Sequence, residues 1–113
     1  MFQIECKMNP GIKESIEQKK GKIHKLCDEL KVRELRLFGS ALSDRFDPDR
    51  SDLDFVADFH QPDAPGIADR FMALASGLES IFNRQADLIT RPAIKNPVFR
   101  RIIEATSVPL YAA

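Results

Sequence analysis

Residues 35 to 59, LRLFGSALSDRFDPDRSDLDFVADF, decide how this chain is read. Two apolar runs bracket a polar excursion rich in Asp and Arg. Val32 to Phe38 reads as a strand that stops at Gly39-Ser40. Such a turn into a helix aims free backbone N–H groups, a hydroxyl and the positive end of the helix dipole at a phosphate. Glycine lets that phosphate come close. Ala41 to Phe46 suits a short helix ended by Asp47-Pro48, because the residue before proline is pushed away from helical angles, and Asp47 to Ser51 reads as a loop. Arg45 and Arg50 lie where they could pair with phosphate oxygens; a loop arginine with no functional contact is an equal reading.

The second run, Asp52 to Phe59, is the clearest strand. Leu53, Phe55, Ala57 and Phe59 fall on one face, and Asp52, Asp54, Val56 and Asp58 on the other. Residues i and i+2 of a strand point the same way, their Cα atoms roughly 6.5–7 Å apart. Two carboxylates held so close repel each other unless a cation sits between them. Magnesium suits the place, since it takes one or two carboxylates and completes its shell with water and substrate phosphates. Asp-x-Asp alone is equally a half-buried strand with a wet acidic face. Support comes from the Gly39-Ser40 turn and from Asp87, a single acid among apolar neighbours in Gln85 to Thr90, where burial without a partner is expensive. Asp58, two pleats further along, is too far to share the ion.

Leu37-Phe38-Gly39-Ser40, eleven residues, then Asp52-x-Asp54 in an apolar run resembles the signature of the DNA polymerase β-like nucleotidyltransferase superfamily. The segments flanking it resemble the minimal branch, the MNT proteins paired with HEPN toxins, over Ile23 to Tyr111. Asp87 matches the third family carboxylate. The loop before Asp52 is one residue longer than is usual in that branch, and Ser43 stands where glycine is common. The resemblance implies a small mixed β-sheet with helices packed on one side, an α/β nucleotidyltransferase fold. It implies Asp52, Asp54 and Asp87 as catalytic, magnesium-binding residues (two ions expected), Gly39 and Ser40 on the phosphates, and ATP as substrate. It further implies an antitoxin that adenylylates a tyrosine of a partner HEPN toxin. The other readings are an antitoxin that neutralises by binding alone and a nucleotidyltransferase acting on a small molecule.

With 113 residues the chain suits one domain, residues 10–113, after an N-terminal arm at 1–9. Seventeen basic residues balance seventeen acidic ones, so bulk charge gives no general attraction to nucleic acid or anionic membrane. No apolar run approaches the ~20 residues needed to span a bilayer, and the N-terminus lacks a signal-peptide core, so the expected location is the cytoplasm. Cys6 and Cys27 are too few for a disulfide framework or a zinc site. Cys27 reads as a small buried side chain.

The remaining elements follow from periodicity. Ile12, Ile16, Ile23, Leu26, Cys27 and Leu30 predict one helix over Pro10 to Leu30, weakened at Gly21, with a solvated basic run from Gln18 to Lys22. Ile67, Phe71, Leu74, Leu78 and Phe82 predict a second over Pro65 to Phe82. Asn96-Pro97 opens a last helix, and Val108 to Tyr111 is an edge strand or a packed tail.

Overall fold

The computed structural model describes residues 10–39 and 52–113. The N-terminal arm, Ser40, the expected short helix and the loop carrying Arg45 and Arg50 lie outside them. The element order is α1 (Pro10–Gln18), α2 (Lys20–Glu29), β1 (Val32–Phe38), β2 (Leu53–Phe59), α3 (Ile67–Phe82), β3 (Ala86–Thr90), a 3₁₀ turn (Arg91–Ala93), α4 (Pro97–Thr106) and β4 (Val108–Ala112).

The four strands form one mixed sheet in the order β3-β2-β1-β4. β1 is antiparallel to both β2 and β4, whereas β2 and β3 run parallel. A parallel pair needs a crossover rather than a hairpin, and the sixteen-residue α3 supplies it. The segment 108–112 is thus an edge strand, with Leu35 opposite Tyr111.

Alternation along β1 and β2 sends Leu35, Leu37, Leu53, Phe55, Ala57 and Phe59 to one face, where they meet Ile12, Ile23, Cys27, Leu74, Leu78 and Phe82. That is the main core. Full burial of each large side chain there, Phe55 and Leu74 among them, contributes roughly 1.5–3 kcal/mol. Arg70 ties the crossover down: its guanidinium donates to the carbonyls of Leu30, His60 and Gln61 at 3.3, 2.9 and 2.8 Å and lies over the Phe59 ring.

Two expectations are modified. The first helix is bent at Lys19 into α1 and α2, although Lys19 N–H still donates to Ser15 and Ile23 N–H to Lys19 across the bend. Lys19 is not a solvated part of a basic run. Its Nζ donates to the Ile81 carbonyl at 2.7 Å and sits above the Phe82 ring, which pins the bend to the C-terminal end of α3.

The second concerns layering. The main helical layer, α1 to α3, backs one side of the sheet as expected, but α4 does not join it. Val56 and Ile89, from the opposite face of β2 and β3, pack with Ile94, Ile103 and Phe38 in a second, smaller cluster. Asn96 starts α4, its Oδ1 accepting from Val98 and Phe99 N–H at 2.9 and 3.1 Å. Arg36 fixes the other end by donating to Ser107 Oγ at 2.6 Å and to its carbonyl at 3.1 Å. The last helix therefore shares a face with the acidic side of β2.

Candidate active site

Three strand ends converge where β1 stops and β2 and β3 begin. Asp54 sits centrally, with Phe38 as its antiparallel partner on one side and Asp87 as its parallel partner on the other. Residues in register across a sheet project to the same face. Asp87 therefore stands beside Asp54, close enough for its charge to act on that carboxyl group. Asp52, just before β2, is half-buried and close enough for its charge to act on Asp54.

Asp54 has its pKa raised above the ordinary carboxylate value. Burial is the largest cause, followed by the charges of Asp87 and Asp52. Among the described residues, the ion pairs run through Glu34, Asp58 and Glu104 and leave these three aspartates out. Among the described residues, like charge is gathered here with no ion pair to offset it.

Gly39 faces the same cluster. It has φ +83°, in the left-handed region, and a Cβ added to it would run into an Asp54 carboxylate oxygen while standing 3.1 Å from Asp54 Cγ. Sequence reasoning assigned this glycine to close approach by phosphate. The structure adds a second requirement, room for the central carboxylate. Asp58 lies at the far end of β2, 3.9 Å from Arg33, apart from the cluster. Ser40, Arg45 and Arg50 fall outside the described residues.

The carboxyl oxygens are hard donors, suited to magnesium rather than to softer metals. Among the described residues, no three acidic, histidine or cysteine side chains close on a point tightly enough to hold an ion alone. A site completed by water and phosphate oxygens needs only one or two carboxylates, and Asp54 with Asp87 makes a pair of that kind.

A cavity of about 220 Å³ lies on this sheet face, lined by Val56, Ile94 and Ile103 with Glu34, Arg36, Arg91 and Glu104 at its edges. The carboxylate cluster does not line it. Its charged groups largely neutralise one another: Arg36 pairs with Glu34 at 2.7 Å and Arg91 with Glu104 at 2.6 Å. The three aspartates, by contrast, enter none of the ion pairs among the described residues.

Sequence reasoning missed Phe38 and Phe99, which meet edge to face with centroids 6.3 Å apart. Phe38 precedes Gly39 and pairs with Asp54, so this contact joins α4 to the rim of the cluster. The amphipathic spacing of α4 was visible in the sequence, but the sheet face it covers was not.

Known proteins share this fold. The nucleotidyltransferase domain model matches residues 20–109. A protein of Methanocaldococcus jannaschii that carries the name protein adenylyltransferase is 34% identical over 79 residues, 70% of this chain and 77% of its own length. Among solved structures, a minimal nucleotidyltransferase superposes with TM-score 0.68 at 19% identity, over 85% of this chain and 93% of that one. A toxin–antitoxin structure with AMP-PNP gives 0.61 at 22% identity, over 83% and 73%, and the MntA-HepT toxin–antitoxin gives 0.57 at 21%, over 86% and 73%. The structural likenesses establish the fold, and the sequence matches establish kinship. The chain belongs to the nucleotidyltransferase domain family.

Proposed function

We propose that this nucleotidyltransferase moves AMP from ATP to a tyrosine hydroxyl of a partner HEPN-type toxin and so acts as its antitoxin in the cytoplasm. The observation that carries the reading is Asp54 standing in register with Asp87, whose charge acts on it, with Gly39 against the Asp54 carboxylate. The M. jannaschii relative supports the transfer of adenylyl groups to protein, and the solved toxin–antitoxin neighbours support the partner.

Asp52, Asp54 and Asp87 would hold magnesium, expected as two ions, which when bound neutralises phosphate charge and favours attack at the α phosphorus. Asp54, half-buried between two strands, is a rigid anchor for the nucleotide's metal. Asp87 is exposed at the edge of the sheet and accepts the proton of the incoming hydroxyl. The backbone at Gly39, with Ser40 after it, receives the β and γ phosphates. The acceptor oxygen forms a bond to the α phosphorus, the bridge to the β phosphate breaks, and pyrophosphate leaves with the electron pair. Arg45 and Arg50 are candidates to steady it.

The test is to look for a HEPN-type protein in the reading frames adjoining this one, incubate it with the chain, ATP and magnesium, and weigh that partner. The expected result is a partner heavier by adenylyl groups on tyrosine, lost with Asp54→Asn or with chelator. An unmodified partner that is still silenced would establish neutralisation by binding alone. Modification of small hydroxyl compounds instead would turn the assignment to that substrate class.

A further inference from the structure

The described residues expose few large apolar side chains, and three of them, Val98, Phe99 and Ile102, occur together on α4. Positions i, i+1 and i+4 of a helix form one patch. Val98 is 63% exposed and Ile102 53%, while Phe99, at 43%, turns part of its ring onto Phe38. Contiguous exposed apolar surface of this kind marks an interaction site more often than chance does.

The patch borders the chemistry. Phe99 touches Phe38, Phe38 is the cross-strand partner of Asp54, and Gly39 comes next. A macromolecule seated on α4 would present its side chains at the mouth of the carboxylate cluster. Around the patch the charge is positive: Lys95, Arg100 and Arg101 are all exposed, and Lys95 and Arg101 enter none of the ion pairs among the described residues. A second copy of the chain would bring this same basic rim against itself, since a two-fold interface joins identical surfaces. An acidic partner is complementary.

We infer that Val98, Phe99 and Ile102 on α4 are the docking face for the acceptor protein, which meets them with an apolar surface bordered by Asp and Glu. This rests on the acceptor being a protein, as proposed above, and assigns the surface that receives it. Docking here would direct transfer to one hydroxyl, because α4 holds the acceptor beside the carboxylates and fixes its orientation.

The experiment measures binding of the acceptor protein identified by the adenylylation test above to the wild-type chain, Val98→Asp, Ile102→Asp and Arg101→Glu, with thermal melting and binding of a fluorescent ATP analogue as controls. Both apolar sites are exposed, so the variants should melt like the wild type and bind the analogue equally well. Val98→Asp and Ile102→Asp are each expected to weaken partner binding about 10-fold or more. Arg101→Glu should slow association at low salt, with the difference closing as salt is raised. Wild-type binding that survives all three substitutions overturns the docking face and leaves the protein-acceptor reading standing. A wild-type chain that binds the analogue but neither modifies nor binds a protein overturns both. A wild-type dimer that Val98→Asp converts to monomer overturns the inference in favour of a second copy.

Discussion

Replacing Gly39 by alanine tests whether the space beside Asp54 is part of the catalytic geometry. Gly39 adopts φ +83°, and a residue with a Cβ pays roughly 1–2 kcal/mol to adopt the left-handed region. The new methyl would also stand 3.1 Å from Asp54 Cγ and 3.3 Å from its Cβ, with a carboxylate oxygen closer still. Crowding of that kind costs about 1 kcal/mol where the neighbour can swing aside, the low end for overpacking. The sum, about 2–3 kcal/mol, should lower Tm by roughly 8–12 °C for a domain of this size. A stability of about 5–15 kcal/mol leaves such a variant folded at 25 °C. Its activity should fall much further, because swinging Asp54 away displaces the central carboxylate, and a 1 Å misplacement can cost about 100-fold. Differential scanning calorimetry and adenylyl-transfer kinetics at saturating ATP read the two effects separately. A stability cycle with Asp54→Ala isolates the contact: with that carboxylate gone, Gly39→Ala should cost only the backbone strain, about 1 kcal/mol less. Unchanged transfer by a folded Gly39→Ala chain would refute the role given to this space, and equal costs in both backgrounds would refute the contact.

Asp54 has a raised folded-state pKa, so the metal-free native state binds its proton more tightly than the unfolded chain does. The associated stability is full below the unfolded value near 3.8 and is lost as pH rises through the folded value. Asp54→Asn should therefore raise Tm at pH 7 in chelator, with the advantage vanishing near pH 3, while magnesium should raise the melting temperature of the wild type only; a lower Tm at pH 7 would contradict this. Arg70→Lys keeps the charge but loses the planar fork that reaches the carbonyls of Leu30, His60 and Gln61. A loss of about 1–2 kcal/mol in urea unfolding is expected, and a variant as stable as the wild type would show those bonds to be dispensable. Burial lifts the Cys27 thiol to about 12, so iodoacetamide at pH 8 should label it only after unfolding, as peptide mass spectrometry would report. Rapid labelling of the native chain would show that the core opens there.

The candidate site was partly legible before any coordinates. Alternation alone put Asp52 and Asp54 on the face of β2 opposite Leu53 and Phe55, and the same rule separated Asp87 from Ala86 and Leu88. The cap at Asn96 and the stripe of α3 were equally plain. The bend at Lys19 was not, because Ser15 to Lys19 and Lys19 to Ile23 keep the helical hydrogen bonds across it, and its cause is a distant carbonyl, that of Ile81. The position of α4 was hidden for a similar reason: an amphipathic helix announces that it has an apolar side, not which surface it will cover.

The order of side chains along the chain settled which residues face inward within each strand and helix, and which carboxylates are available, because those periods are properties of a single element. Tertiary structure alone decided that Asp54 pairs with Asp87 rather than a neighbour one residue away, that Gly39 must leave room for Asp54, and that Phe99 borders them. Register between strands is set by the crossover through α3 and by the packing of two clusters on opposite faces, energies summed over many distant contacts that no local pattern records.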